Sequence, residues 1–287
     1  MKSQHPYSGC LAVLATMHGK ERAVSRAFKE GLSVDVVTPD AIDTDVFGTF
    51  TGEVHRRKGV RETAVDKARR GMALTGLSLG IASEGSFGPH PEIPMIPADM
   101  ELMVLVDDRR GLVIVETLIS AETNYAHIEV ARGDRIDEFL EQAMFPSHAL
   151  IVRPNKSLHP ADRVQKGIVT KDCLDEAIRT SIEYSLDGKA FLQTDMRAHV
   201  NPTRMIVLEK LANRLVKRLK VLCPSCHAPG FGAVDVRRGL PCGGCGAPTR
   251  WVRAEIFACE CCGLIEERQR NDGLRVAGQE SCHRCNP

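Results

Sequence analysis

Short apolar runs of strand length alternate with longer amphipathic segments along the first 220 residues. The run CLAVLA at 10–15 fits a buried strand, and Thr16, Met17, His18 and Gly19 break it before KERAVSRAFKEG. In that second segment Ala23, Val24, Ala27 and Phe28 share one face of a helix, with Gly31 as its stop. Residues 34–37 read as a second strand, and a Gly/Thr-rich loop, DTDVFGTFTGE, leads to RETAVDKARRGMALTG. There Ala64, Val65, Ala68 and Met72 make a helical core stripe, while the other faces are charged. LSLGIA at 77–82 predicts a third strand, and SEGSFGPHPEIP, rich in Gly and Pro, predicts a loop. ELMVLVDDRRGLVIVETL alternates about a turn at 108–111, as a β-hairpin does. Farther along, the pattern predicts helices over 134–143 and 171–185 and strands at 149–152 and 190–193. From Thr203 onward, Leu208, Leu211, Ala212, Leu215, Val216 and Leu219 repeat at helical spacing, with Lys210, Arg214, Lys217 and Arg218 on the wet side. Strands alternating with helices predict an α/β unit over 1–220, a mixed sheet flanked by helices.

Composition sharpens this picture only in part. A chain of 287 residues with 43% apolar content can bury a real core. Lys plus Arg total 38 against 37 Asp plus Glu, so a formal net charge of +1 supplies no global field for nucleic acid or anionic lipid. The longest apolar stretches fall far short of the roughly 20 residues of a membrane span. MKSQHPYSGC lacks the pattern of a signal peptide. A soluble, cytoplasmic protein with no membrane partner is the expectation.

Cysteine placement changes the picture most. Of 11 cysteines, Cys10 and Cys173 lie in the first 222 residues and read as buried apolar positions; the other nine crowd into the last 65. Eight of those nine form C-x-x-C pairs, Cys223/Cys226, Cys242/Cys245, Cys259/Cys262 and Cys282/Cys285, with Cys261 as a bystander able to exchange with Cys262. Each pair aims two thiolates at one tetrahedral ion, so four pairs imply two closed, structural zinc sites in a ribbon over 221–287. A disulfide framework would need an oxidising compartment and an export signal. Spacers of 15 residues after Cys226 and 19 after Cys262 suit a hairpin between knuckles, which favours sequential pairing and leaves an interleaved one open. Gly246 and Gly263, directly after two pairs, predict positive φ. From 221 onward eight Arg face seven Asp plus Glu, and two four-thiolate zinc sites turn that balance negative, which disfavours a dominant phosphate-binding role. The ribbon is then a metal-stapled module, with a protein or RNA contact and homodimer formation left open.

The polar groups left at strand ends in the α/β unit are cationic, Lys20, Lys67, Arg69 and Arg204, and acidic, Glu53, Glu62 and Glu84. Such a mixture suits phosphate chemistry, because carboxylates hold Mg²⁺ while lysines and a helix start neutralise phosphate oxygens. Glu84 lies in a Gly-bounded segment after a buried strand, and 195–204 packs Asp195, Arg197, His199, Asn201 and Arg204 between a strand and a helix.

The order of these residues resembles the house-cleaning nucleoside triphosphate pyrophosphatases, the inosine/xanthosine triphosphatase superfamily. Ala15-Thr16-Met17-His18-Gly19-Lys20 resembles that family's Thr-rich loop with its Lys, and Glu62-Thr63-Ala64-Val65-Asp66-Lys67-Ala68 resembles its Glu-Asn-Ala-x-x-Lys-Ala helix, with Thr63 in place of Asn. Gly80-Ile81-Ala82-Ser83-Glu84-Gly85 is similar to its acidic strand end, and 193–204 to its His- or Arg-bearing loop before a terminal helix. The resemblance covers 10–116 and 188–219. It implies Mg²⁺-dependent hydrolysis of a non-standard nucleoside triphosphate to monophosphate and pyrophosphate. Glu62 would bind metal, Glu84 would serve as ligand or base, and Thr16, Lys20, Lys67, Arg197, His199 and Arg204 would hold the substrate. Ser83 stands where many members carry a second acid, so one ligand is missing or moved to Glu53 or Glu101. With GLPCGGCGAPT and the terminal CHRCNP, the whole chain also resembles an uncharacterised bacterial family carrying this tail. The competing reading is a non-catalytic nucleotide- or RNA-binding module whose ribbon docks a protein partner.

Overall fold

A computed structural model describes residues 5–39, 42, 58–158 and 163–287. The whole Gly/Thr-rich loop at 43–53, Glu53 included, lies outside them. The chain divides into two compact units, one holding residues up to 109 together with 115–216, the other 110–114 together with 217–287. The architecture is mixed α/β: a five-stranded mixed sheet packed with helices, plus smaller antiparallel sheets and the four-cysteine clusters.

In the first unit, β1 (Leu11–Leu14), α1 (Glu21–Leu32), β2 (Asp35–Val37) and α2 (Val60–Thr75) lead to β3 (Leu79–Pro89), β4 (Pro97–Asp107) and β5 (Leu112–Ser120). The sheet order is β2-β1-β3-β4-β5, with β1 parallel to both β2 and β3 and with β3 antiparallel to β4. Ala12, Val13 and Leu14 are buried, as a central parallel strand requires. The segment expected as a loop after residue 82 is instead the outer half of β3, paired residue for residue with β4 out to Pro89↔Pro97. A long antiparallel partner overrides weak strand propensity there, and the true loop is confined to 90–96. On α2, Ala64, Lys67, Ala68, Gly71 and Met72 face inward, and Gly80 is needed because a Cβ there would lie 2.6 Å from Met72 Sδ.

A second sheet, order β6-β9-β7-β8, is built from β6 (His127–Val130), β7 (Leu150–Pro154), β8 (Gln165–Ile168) and β9 (Ala190–Thr194), all antiparallel. Helices α3 (Asp137–Gln142) and α4 (Lys171–Glu183) close its core around Phe139, Leu150, Val152, Leu174 and Leu192. The expected helices and two of these strands appear; β6 and β8, four residues each, carry no period long enough to read. Cys173, expected to be buried, is exposed in the first turn of α4, and Cys10 is half-buried. Helix α5 (Pro202–Leu219) follows a 3-10 turn at Ala198–Val200.

The second unit holds a three-stranded antiparallel sheet, β10 (Gly232–Arg238), β11 (Val252–Ala258) and β12 (Ile265–Gln269). Leu112, Phe231, Ala228, Cys223 and Cys259 form its small core. No helix among the described residues is long and apolar enough to cross a membrane.

Candidate functional site

The carboxyl end of β1 and the outer half of β3 gather ionisable side chains that are shut off from solvent. After β1, Thr16 Oγ1 accepts a hydrogen bond from the His18 amide at 3.2 Å, and Gly19 takes a φ of +66°, which turns the chain into α1. Lys20 then points inward, and its Nζ donates to the Ser83 carbonyl at 3.1 Å and to Ser83 Oγ at 3.0 Å. Burial, and next the Arg204 charge, lower the Lys20 ammonium to about 8. One helix over, Lys67 pairs with Glu84, both buried. Glu62, expected as a metal ligand, is exposed in the first turn of α2, whereas Lys67, five residues along, is not.

Arg204 enters from α5. Asn201 precedes this helix and its Oδ1 accepts the Arg204 amide at 2.9 Å, a helix cap, with Pro202 at the first helical position. Asn201 Nδ2 in turn donates to Asn124 Oδ1 at 2.9 Å and to the Asp195 carbonyl at 3.2 Å. So fixed, the Arg204 guanidinium donates through Nε to Glu101 Oε1 at 2.6 Å and through Nη1 to the Met196 carbonyl, and lies 5.1 Å over the Phe87 ring. Gly85, opposite Glu101 in the β3/β4 register, makes room: a Cβ there would lie 2.6 Å from Arg204 Nη2 and 2.7 Å from Glu101 Oε1.

Asp99 and Glu101 alternate on β4, each 1% exposed. No N–H or alcohol donor among the described residues reaches either oxygen of Asp99 or Oε2 of Glu101, and the hydrogen bond open to the pair is a proton held between the two acids. Burial, and then the facing Glu101 carboxylate, push the Asp99 carboxyl up to about 8. Asp99 was not expected from the sequence. Its one signal is an acid recurring at i, i+2 within an otherwise apolar strand, where alternation assigns both acids to one face.

At the rim, Asp195 accepts the backbone amides of Gly167 at 3.1 Å and Arg197 at 3.0 Å, and its carboxylate clamps the Arg197 guanidinium, with Nη2 at 2.6 Å. His199 is exposed and stacks on His18, ring centroids 5.3 Å apart. Burial, then Lys20, lowers His18 to about 3, so the ring is neutral. The structure thus brings together Lys20, Lys67, Glu84 and Arg204, with Thr16, Arg197 and His199 around them, and leaves Glu62 at the surface. Below the start of α5, buried His148 accepts the Thr203 amide at Nε2, 3.2 Å away, and its Nδ1 lies 2.9 Å from Ser147 Oγ. Because Ser147 Oγ donates to the Met144 carbonyl, His148 carries its proton on Nδ1.

In the second unit the cysteine pairing is interleaved. Cys223, Cys226, Cys259 and Cys262 form one group, and Cys242, Cys245, Cys282 and Cys285 the other. This corrects the sequential pairing favoured by the spacers. Between the first and second knuckles runs one strand, β10, not a hairpin, so the chain crosses the sheet before each new knuckle. The β10/β11 register puts Gly232 opposite Ala258, beside knuckles one and three, and Arg238 opposite Val252 at the other end. Sγ separations of 3.7 Å (Cys223 to Cys262), 3.6 Å (Cys226 to Cys259), 3.8 Å (Cys242 to Cys285) and 3.6 Å (Cys245 to Cys282) match the edge of about 3.8 Å of a tetrahedron with Zn–S of about 2.3 Å. The two groups fit two structural zinc ions. Gly246 and Gly263 take φ of +67° and +72°, and Cys261 is exposed outside the cluster.

No curated protein and no solved structure matches the chain. A family profile does, and its span takes in Lys67, Glu84, Asp99, Glu101, Arg204 and all eight paired cysteines while stopping short of the Thr16 to Lys20 loop. By that match over residues 67–287 the chain belongs to the family described as a domain of unknown function, DUF6671.

Proposed function

We propose that the α/β unit hydrolyses a nucleoside triphosphate with a non-standard base to its monophosphate and pyrophosphate, and that the second unit is a scaffold stapled by two zinc ions. The observation that carries this reading is the convergence of three buried cations, Lys20, Lys67 and Arg204, with three buried acids, Glu84, Asp99 and Glu101, at the carboxyl end of parallel strands. Buried ionisable groups held against their solvation preference mark sites of chemistry more often than sites of stability, and the ends of strands are where α/β sheets bind ligands.

In this mechanism water attacks the α phosphorus, the bond to the bridging oxygen of the β phosphate breaks, and pyrophosphate leaves with that oxygen. Lys20 and Arg204 neutralise the phosphate oxygens, at low cost in reorganisation because Ser83, Glu101 and the Met196 carbonyl already hold them in place. Glu84, positioned by Lys67, takes the proton of the attacking water. Arg197, fixed by Asp195, and the His18/His199 stack are the more exposed groups beside these buried charges, and in this reading they contact the outer part of the substrate. A bound Mg²⁺ would add charge neutralisation, and hard carboxylate oxygens are the donors it requires.

The test is pyrophosphate release from a panel of standard and damaged nucleoside triphosphates, with Mg²⁺ and with EDTA. Mg²⁺-dependent release, reduced by roughly 10²- to 10⁴-fold in Glu84→Gln with nucleotide binding retained, is the expected result. Silence across the panel from folded, zinc-loaded protein that still binds nucleotide would replace the enzyme with a binding module.

A further inference from the structure

We propose that Asp99 and Glu101 are the carboxylates that hold the divalent cation of the α/β unit, in place of Glu62. The two side chains lie on the same face of β4, across from Phe87 and Gly85, in a strand that is otherwise largely apolar. Packing alone gives no reason for acids at these positions, since burying a carboxylate is costly unless donors or a cation meet it. Donors meet only part of the pair. Arg204 Nε takes Glu101 Oε1, while Lys20 directs two of its three N–H donors to Ser83, and three carboxylate oxygens, both of Asp99 and Oε2 of Glu101, face no N–H or alcohol donor among the described residues. Two acids that face each other stay together only with a proton or a cation between them, and a cation that enters takes the place of the proton.

The chemistry of the donor set selects the ion. Three hard oxygens from two carboxylates match Mg²⁺ or Mn²⁺, which take one or two protein carboxylates and complete their shell with water and substrate phosphates. Softer ions have their ligands in the other unit, where every donor is a thiolate. Lys20 and Arg204, whose charges act on Asp99, would attract the phosphate oxygens that such a shell needs. The inference rests on the phosphate-binding reading above only for that last part of the shell, and the acids stand on their own geometry.

The test uses the full, zinc-loaded chain and Mn²⁺, followed by its electron paramagnetic resonance, alone and with inorganic pyrophosphate. One Mn²⁺ per chain is expected in the presence of pyrophosphate, with affinity at least about tenfold weaker in Asp99→Asn and Glu101→Gln and unchanged in Glu62→Gln. A wild-type chain that leaves all Mn²⁺ free would overturn the proposal and mean that the two acids share a proton instead. Variants that bind Mn²⁺ like the wild type would overturn it as well. Should the variants not fold, Fe²⁺ with ascorbate and peroxide, applied to the wild-type chain, cuts the backbone beside the bound metal. Cuts mapped to 98–102 support the site, and cuts confined to the neighbourhood of residue 62 refute it. The outcome separates from that of the enzyme reading. Mn²⁺ held by Asp99 in a protein that hydrolyses nothing leaves the cation site and removes the enzyme, whereas Mg²⁺-dependent hydrolysis that survives Asp99→Asn does the reverse.

Discussion

Replacing Gly85 by alanine adds one methyl group where the Arg204–Glu101 pair is most tightly enclosed. The new Cβ would lie 2.6 Å from Arg204 Nη2 and 2.7 Å from Glu101 Oε1, against an optimum of about 3.5 Å, a shortfall of about 0.9 Å. Neither neighbour can retreat freely. Both side chains are fully buried, Nε of Arg204 sits 2.6 Å from Glu101, and its Nη1 is held by the Met196 carbonyl. Overpacking of this kind costs about 1–3 kcal/mol and loss of one partner of a buried ion pair about 3–5 kcal/mol, so partial separation of the pair places Gly85→Ala near 2–4 kcal/mol. Gly88→Ala on the same strand, with nothing within 4 Å of its Cβ, is the control and stays within about 0.5 kcal/mol of the wild type. Urea unfolding followed by far-UV circular dichroism reads the helical unit, and fluorescence of the single Trp251 reads the other. Equal midpoints for Gly85→Ala and Gly88→Ala would refute the argument that β3 was built around this ion pair.

Further outcomes follow from the same geometry. The double variant Cys223→Ser/Cys259→Ser removes two ligands of one group and keeps about one zinc per chain by metal analysis, while Cys223→Ser/Cys242→Ser spoils both groups; sequential pairing demands the opposite. His148 is buried, and burial lowers its pKa below 6.5, so its contribution to stability is present above that value and is lost as the pH falls below it. The unfolding free energy of the α/β unit therefore drops as the pH falls below about 6.5, by at most about 1.4 kcal/mol per pH unit for this group, and His148→Gln shows a shallower fall in urea titrations. Arg214→Ala removes a 2.7 Å pair between a 58% exposed arginine and a Glu116 side chain only 8% exposed, so the carboxylate left behind raises the cost above that of a surface pair, to about 1–3 kcal/mol in the same assay.

What could be read from the sequence was whatever rests on local repetition. The β1 to α1 unit, α2, the β4/β5 hairpin and α5 all carry a period that survives for two turns or several strand residues, and they stand where that period puts them. The outer half of β3 does not, because Ser86, Gly88 and Pro89 form a strand only through the partner that β4 supplies. The candidate site divides in the same way. Lys20, Lys67, Glu84 and Arg204 lie in segments with a recognisable order, whereas Asp99 is one residue in an apolar strand and gains meaning only beside Glu101 and Arg204. Cysteine spacing revealed the ligands, but spacing counts residues and not crossings of a sheet, so the partners of each knuckle were out of its reach.

That alternation of ends also decides what a break in the backbone does. A single cut anywhere in 246–258 leaves Cys223, Cys226, Cys242 and Cys245 on one fragment and Cys259, Cys262, Cys282 and Cys285 on the other. Each metal would then clasp two thiolates from each fragment, and the two ions become the rivets of a nicked molecule. A protease cut there stays silent on a sizing column until a chelator is added, at which point the carboxyl-terminal piece falls away. Two zinc sites paired in sequence would have parted as separate beads at the first cut.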